Sequence, residues 1–171
     1  VQKVAREFSQ KEISTYAARV DREACYPDEG VRKLSKLGLM GMMVPQEFGG
    51  SGLDTLAYVI ALEEISVGCA STAVIMSVNN SLVCEPLKLF GNESQKKKYL
   101  APLASGEKLG CFCLSEPNAG SDASNQQTIA LKSGNDFVLS GTKNFITNGP
   151  QADIAIVFAQ TDKTQKKRGI S

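Results

Sequence analysis

Apolar residues recur every three or four positions through most of the first hundred residues, which is the spacing of one face of an amphipathic helix. The pattern predicts five helices, with approximate bounds 1–23, 27–37, 54–65, 71–85 and 92–104. Capping signals agree with these bounds: Asp54 and the Asn92–Gln95 pair open two of the helices, and Gly38 ends another. Residues 1–107 are therefore predicted to form an all-α helical domain.

The fourth predicted helix is apolar around most of its circumference and carries no charge before Glu85. We therefore expect it to be buried on most sides. Polar side chains inside such a helix need partners, so they either bond to neighbouring helices or face a cavity. Four residues are concerned, and both interpretations stay open for them: Ser77, Asn79, Asn80 and Ser81.

After Gly106 the pattern changes to runs rich in β-branched and aromatic residues. Four strands are predicted, at 109–117, 127–132, 137–147 and 153–162, with a hairpin turn at 133–136. Helices followed by strands indicate an α+β fold in which an antiparallel β domain at 108–171 follows the helical domain. Four strands with open edges make an incomplete barrel or sheet, so we expect this β domain to be truncated.

Composition excludes several classes of function. Nineteen basic and eighteen acidic residues leave a formal net charge of +1, which gives no electrostatic signal for nucleic acid or for a membrane surface. The chain contains no histidine, so no Ser–His or Cys–His nucleophile pair can form within it. Its five cysteines are odd in number and lack CxxC spacing, which favours buried free thiols over a metal site.

The stretch CFCLSEPNAGSDASN, residues 111–125, predicts a strand that breaks into a turn. Pro117 excludes a helix at Glu116, and Asn118 and Gly120 both tolerate positive φ. The amides of residues 119–122 and the Ser121 hydroxyl could form a small anion-binding nest, although an ordinary turn explains the same residues. Glu116 is a formal candidate for a general base, yet a carboxylate at such a position is more often solvated or ion-paired.

Two separated motifs resemble the flavin-contacting signatures of the acyl-CoA dehydrogenases: FCLSEPNAGSD at 112–122 and LSGTKNFITNG at 139–149. The blocks VPQEFGGSGLD and LEEISVGCASTAVIMSVNNSL are also similar to that family, and in particular to its short-chain, butyryl-CoA branch. The resemblance covers essentially the whole chain. It implies an FAD enzyme with an N-terminal helical domain, a middle β domain and a C-terminal helical domain, of which the last is absent here.

The resemblance also implies which residues contact the cofactor. Ser115 would lie near the pyrimidine edge of the flavin, Ser121 near the FAD pyrophosphate and the CoA end of the substrate, and Thr147 near flavin N5. The family usually has tryptophan where this chain has Phe145, a difference that keeps an aromatic face but removes the indole N–H donor. The full cofactor-binding set is Phe112, Cys113, Leu114, Ser115, Glu116, Pro117, Asn118, Ala119, Gly120, Ser121, Phe145, Ile146 and Thr147.

The implied activity is the α,β-dehydrogenation of short-chain acyl-CoA thioesters in fatty acid β-oxidation. The family's base is a glutamate of the C-terminal domain, so we assign no catalytic residue here, neither Glu116 nor Glu63 nor Glu64, and expect the fragment alone to be inactive. The implied partners are an electron-transfer flavoprotein and further copies of the chain in a homotetramer. The implied location is the mitochondrial matrix or a bacterial cytoplasm. Competing interpretations are an acyl-CoA oxidase, a nitroalkane oxidase, a flavin monooxygenase, or a truncated binding module without catalysis.

Overall fold

The computed structural model describes all 171 residues and contains the five predicted helices. Three of them include a π-helical segment, at Ser9–Ile13, Val78–Cys84 and Lys96–Leu100. The helices are α1 at residues 2–23, α2 at Asp28–Lys36, α3 at Thr55–Gly68, α4 at residues 70–90 and α5 at residues 93–105. The periodicity therefore located every helix and placed most ends within a few residues.

The predicted capping signals act as expected. The Asp54 carboxylate accepts a hydrogen bond from the Ala57 N–H at 2.8 Å and begins α3. Asn92 and Gln95 form a reciprocal capping box at the start of α5, with both bonds at 2.9 Å. Gly38 follows α2 with φ +70°, a conformation that suits glycine. Local side-chain chemistry thus sets where these helices begin and end.

The helices enclose one main apolar core, and α4 runs through it. Its two asparagines are fully satisfied by backbone groups of neighbouring segments, because Asn79 donates to Met40 O at 2.8 Å and Asn80 donates to Leu39 O at 2.8 Å. The side-chain oxygen Oδ1 of Asn80 also accepts from the Met42 N–H at 2.8 Å. For these two residues the bonding interpretation is confirmed and the cavity interpretation is wrong.

Four strands follow the helices: β1 at Gly110–Cys113, β2 at Ile129–Ser133, β3 at Asp136–Ser140 and β4 at Ile154–Val157. Strands β2 and β3 form the predicted antiparallel hairpin, with Ser133 opposite Asp136 and Gly134 at φ +63° in the turn. Strands β1 and β4 pair in parallel, with Gly110 opposite Ile154. The predicted α+β fold class is confirmed, and one of its two strand pairs is parallel.

The third strand is much shorter than predicted. The run at 137–147 was expected to be one strand, but β3 ends at Ser140 and the rest is loop. Gly141 packs so closely on Thr128 that a Cβ there would lie 2.3 Å from the Thr128 hydroxyl, and Phe145 and Asn148 both adopt positive φ. The ladder ends at Ser140, whose partner Ile129 is the first residue of β2, and the positive φ at Phe145 prevents the chain from resuming an extended strand up to residue 147.

A second apolar cluster joins the helices to the sheet. Val83, Leu100 and Leu103 are buried in it, and Phe112 and Ile156 pack against it from β1 and β4. The β1–β4 pair is therefore fixed on the helical part, whereas the hairpin projects away from it. No helix has the length and apolarity required to cross a lipid bilayer.

Candidate functional site

The turn after β1 is closed by a pair of backbone hydrogen bonds. The Glu116 N–H donates to Ala119 O at 3.0 Å, and the Ala119 N–H donates to Glu116 O at 3.1 Å. Because the Ala119 N–H is engaged, an anion nest can use only the amides of residues 120–122, fewer than the sequence suggested. Asn118 and Gly120 do not use the positive φ that they permit.

Glu116 lies inside this turn, with 6% of its surface exposed. Its carboxylate accepts from the Lys143 ammonium at 2.8 Å and from the Gln127 and Thr128 backbone amides. Burial alone would raise the Glu116 pKa, but these donors outweigh it and lower the pKa to about 2. Glu116 is therefore held ionised as a structural anion, which does not suit a general base.

Lys143 joins the two predicted cofactor segments. Besides Glu116, its ammonium donates to Leu114 O at 3.1 Å and to Gln126 Oε1 at 2.9 Å. The Asn144 N–H then donates to Ser115 O at 2.8 Å. The two motifs, separated in sequence by residues 123–138, therefore lie side by side.

Beyond Asn144 the chain presents three residues in different environments. Phe145 has φ +57° and 96% of its surface is exposed. Ile146 and Thr147 are half-buried. An aromatic ring without packing partners on a fixed loop is available to a planar ligand or to another apolar surface.

Thr147 lines an open groove of about 690 Å³. The opposite walls come from the end of α1 with the following turn, including Val20 and Tyr26, and from the start of α4, including Val74 and Ile75. Ile75 thus faces the groove, whereas its neighbour Met76 is completely buried in the helical core. Apolar walls with a few polar groups are typical of sites for small organic ligands.

The remaining predicted contacts differ in accessibility. Cys113, Glu116 and Ala119 are buried, so their side chains face the protein interior. Three others are half-buried: Phe112, Leu114 and Ser115. Four are exposed along the turn: Pro117, Asn118, Gly120 and Ser121.

Strand β1 also carries a pair of thiols. Cys111 and Cys113 point to the same buried face, as their alternation predicted, with 3.6 Å between the sulfur atoms. Burial, together with the neighbouring thiol, raises the pKa of Cys111 to about 12. The Cys111 thiol therefore stays protonated and does not suit a nucleophile.

Sequence reasoning missed three residues that shape the site: Tyr26, Lys143 and Asn148. Lys143 and Asn148 lie within the second motif, but nothing in their spacing shows which groups they contact. A signal existed for Lys143, since a carboxylate beside an apolar strand requires a cationic or amide partner. Tyr26 lies far from both motifs in sequence and gave no signal.

Comparison with known proteins identifies the class. Residues 1–107 match the family model for the acyl-CoA dehydrogenase N-terminal domain, and residues 111–171 match that for the acyl-CoA dehydrogenase middle domain. The chain therefore belongs to the acyl-CoA dehydrogenase family.

Within that family the chain is similar to short-chain members. It is 53% identical to the human mitochondrial short-chain specific acyl-CoA dehydrogenase over 97% of this chain and 40% of the relative. It is 46% identical to a short-chain specific acyl-CoA dehydrogenase of Clostridium acetobutylicum over all of this chain and 45% of the relative. The butyryl-CoA dehydrogenase of Megasphaera elsdenii superposes with a TM-score of 0.94 at 44% identity, over 99% of this chain and 45% of that one. The chain thus spans less than half the length of these relatives.

Proposed function

We propose that this chain takes part in the FAD-dependent α,β-dehydrogenation of short-chain acyl-CoA thioesters. Residues 1–107 would act as the N-terminal helical domain and residues 108–171 as part of the middle β domain, completed by a C-terminal helical domain. Short-chain relatives at about half identity over nearly the whole chain support this assignment.

One observation supports the proposal above the others: Lys143 and Asn144 hold the two cofactor motifs together beside a groove that Thr147 lines. The residues present fit a flavin. Phe145 offers an unpacked aromatic ring, Ser115 and Thr147 offer partly exposed hydroxyl groups, and the exposed turn ending at Ser121 offers backbone amides to a pyrophosphate. Ser121 is also the proposed contact for the CoA end of the substrate.

The chemistry explains the choice of cofactor. Dehydrogenation removes a proton from Cα of the thioester and a hydride from Cβ, and no side chain accepts a hydride. Bound FAD would supply that two-electron acceptor. The residues of this chain would orient it and shield it on one side, and a half-buried Thr147 hydroxyl would contribute a hydrogen bond near the reacting atoms.

The base for the α-proton is not assigned to this chain. Glu116 is held by Lys143. Glu64 is buried and hydrogen-bonded to Arg6 and Gln2, which lowers its pKa, and Glu63 is exposed on α3. We therefore place the base in the C-terminal domain of the complete enzyme.

We further propose an electron-transfer flavoprotein as the electron acceptor, a tetrameric assembly, and a location in the mitochondrial matrix or a bacterial cytoplasm, the two settings suggested by its relatives.

The test uses two proteins, the 171-residue chain and a chimera in which it replaces the equivalent part of the Clostridium acetobutylicum relative. We expect weak or no FAD binding and no turnover from the chain alone, and a yellow chimera that oxidises butyryl-CoA.

In the chimera, Thr147→Ala should shift the flavin spectrum and slow flavin reduction with little change in melting temperature, because one hydrogen bond contributes about 0.5–1.5 kcal/mol. An unchanged spectrum and rate would remove Thr147 from the site, and turnover by the chain alone would require a base within it.

A further inference from the structure

Asn148 lies where the Thr147 segment meets both β1 and the helical part. Only 5% of its surface is exposed. Its Nδ2 donates to Gly110 O at 3.0 Å, and its Oδ1 accepts from the Tyr26 hydroxyl at 3.4 Å. One buried amide thus joins three segments that are far apart in sequence.

The connection continues through Gly110 into the helical core. The Gly110 N–H donates to Asn79 Oδ1 at 3.0 Å, and Asn79 Nδ2 in turn donates to Met40 O at 2.8 Å. A Cβ on Gly110 would lie 2.5 Å from the Val83 side chain, so glycine permits the strand to approach α4 this closely. The hydrogen bonds that begin at Asn148 therefore end on fixed backbone inside the core.

The backbone of Asn148 is also specialised. Its φ is +67°, a region that asparagine enters more readily than most residues with a side chain. Its carbonyl accepts hydrogen bonds from the Gln151 N–H at 3.0 Å and the Ala152 N–H at 2.8 Å. The residue thus contributes two separable features, a left-handed turn and a buried amide.

We propose that Asn148 is the positioning residue of Thr147. Its amide ties the turn to β1 and to Tyr26, and this keeps the adjacent Thr147 at the edge of the groove in one orientation. A hydroxyl fixed before the ligand binds pays less ordering entropy on binding than a hydroxyl on a free loop. The inference rests on the proposed function, since it assumes that Thr147 contacts the flavin.

Three variants separate the two features of Asn148. Asn148→Gly keeps the positive φ accessible and removes the amide. Asn148→Asp keeps the acceptor for Tyr26 but directs a carboxylate oxygen at Gly110 O. Tyr26→Phe removes only the hydroxyl donor. Asn135→Gly is the matched control, because Asn135 lies exposed in the β2–β3 turn.

The experiment measures two quantities. Amide hydrogen exchange at Gly149, whose N–H donates to Ile146 O at 3.0 Å across Thr147, is followed in the 171-residue chain without cofactor, and flavin reduction by butyryl-CoA is followed in the chimera. We expect Asn148→Gly to raise exchange at Gly149 at least tenfold and to slow flavin reduction about two- to tenfold, the equivalent of one hydrogen bond. In a Thr147→Ala background, Asn148→Gly should add no further slowing.

The outcomes distinguish the inference from the function on which it rests. If Thr147→Ala leaves the spectrum and reduction rate unchanged, the proposed flavin contact is wrong, while exchange still reports whether Asn148 orders the turn. Two results would show that Asn148 does not position Thr147, provided that Thr147→Ala itself slows reduction. One is unaltered exchange at Gly149 in Asn148→Gly, and the other is slowing of reduction by the same factor with and without Thr147→Ala. Should Asn148→Gly fail to fold, Asn148→Asp and Tyr26→Phe test the same proposal. The measurements are again amide exchange in the turn and flavin reduction with and without Thr147→Ala.

Discussion

The helical part and the β2–β3 hairpin contain similar apolar residues and use them differently. Leu34 and Ile65 in the helical part are completely buried, whereas Phe137 and Leu139 in the hairpin are each more than half exposed. Free energy from apolar burial scales with the area removed from water, so it is concentrated in the helical part. Within this structure the hairpin is held by its backbone ladder and by backbone hydrogen bonds between Gln160 and the start of β2.

The candidate site differs from both regions, because buried polar side chains hold it together. Its two motifs are joined by Lys143, and its Thr147 turn is held by Asn148, both through buried polar contacts. Hydrogen bonds of this kind fix direction as well as distance. The helical core therefore provides most of the stability, and a few polar residues fix the positions of the site's segments.

The largest expected effect comes from Lys143→Met. It leaves the buried Glu116 carboxylate without its cation, and breaking a buried pair in this way costs about 3–5 kcal/mol of unfolding free energy. Lys33→Met, which removes a lysine from exposed pairs with Glu12 and Glu29, is the matched control and should have a far smaller effect. Urea denaturation measures both, and equal losses would show that the Glu116 pair is not buried in solution.

The same pair predicts a dependence on pH. The folded Glu116 pKa of about 2 lies below the ordinary value of 4.5, so the carboxylate contributes stability that is fully present above pH 4.5. That contribution is lost as the pH falls from 4.5 through 2. Glu116→Gln should therefore give a flatter profile of unfolding free energy over this window. Parallel profiles for the two proteins would contradict the assigned pKa.

A matched pair of leucine substitutions tests the comparison directly. Leu34→Ala opens a cavity in the helical core and should cost about 2–5 kcal/mol of unfolding free energy. Leu139→Ala on the exposed hairpin should change it by about 0.5 kcal/mol or less. Thermal and urea unfolding of both variants provide the measurement. Similar losses would mean that the hairpin is packed against another surface in solution.

Sequence patterns predicted the helical part more completely than the site. Helical periodicity and caps such as Asp54 are local, so five helices and most of their ends followed from neighbouring residues. The end of β3 did not follow, because it depends on Gly141 packing against Thr128, the residue that precedes β2, and residue type alone does not reveal that contact. The family resemblance indicated which segments meet, but the contacts of Lys143 and Asn148 required tertiary structure.

The smallest expected effect compares two aspartate caps, one in the helical part and one after β4 in the β part. Asp54 accepts from the Ala57 N–H at 2.8 Å and begins α3, a helix with Ala61 and Ile65 completely buried. Asp162 accepts from the Thr164 N–H at 2.9 Å and begins the exposed 3₁₀ segment Lys163–Gly169.

Asp54→Ala should lower the global unfolding free energy by about 1 kcal/mol, because the uncapped first turn belongs to a helix that the core requires. Asp162→Ala should leave the global value nearly unchanged and instead raise amide exchange locally at residues 163–165, since that segment opens without exposing the core. Urea denaturation and amide exchange together distinguish the two responses. A global loss from Asp162→Ala as large as that from Asp54→Ala would show that the two regions unfold as one cooperative unit, and the contrast between a stabilising helical core and a locally held β part would then be wrong.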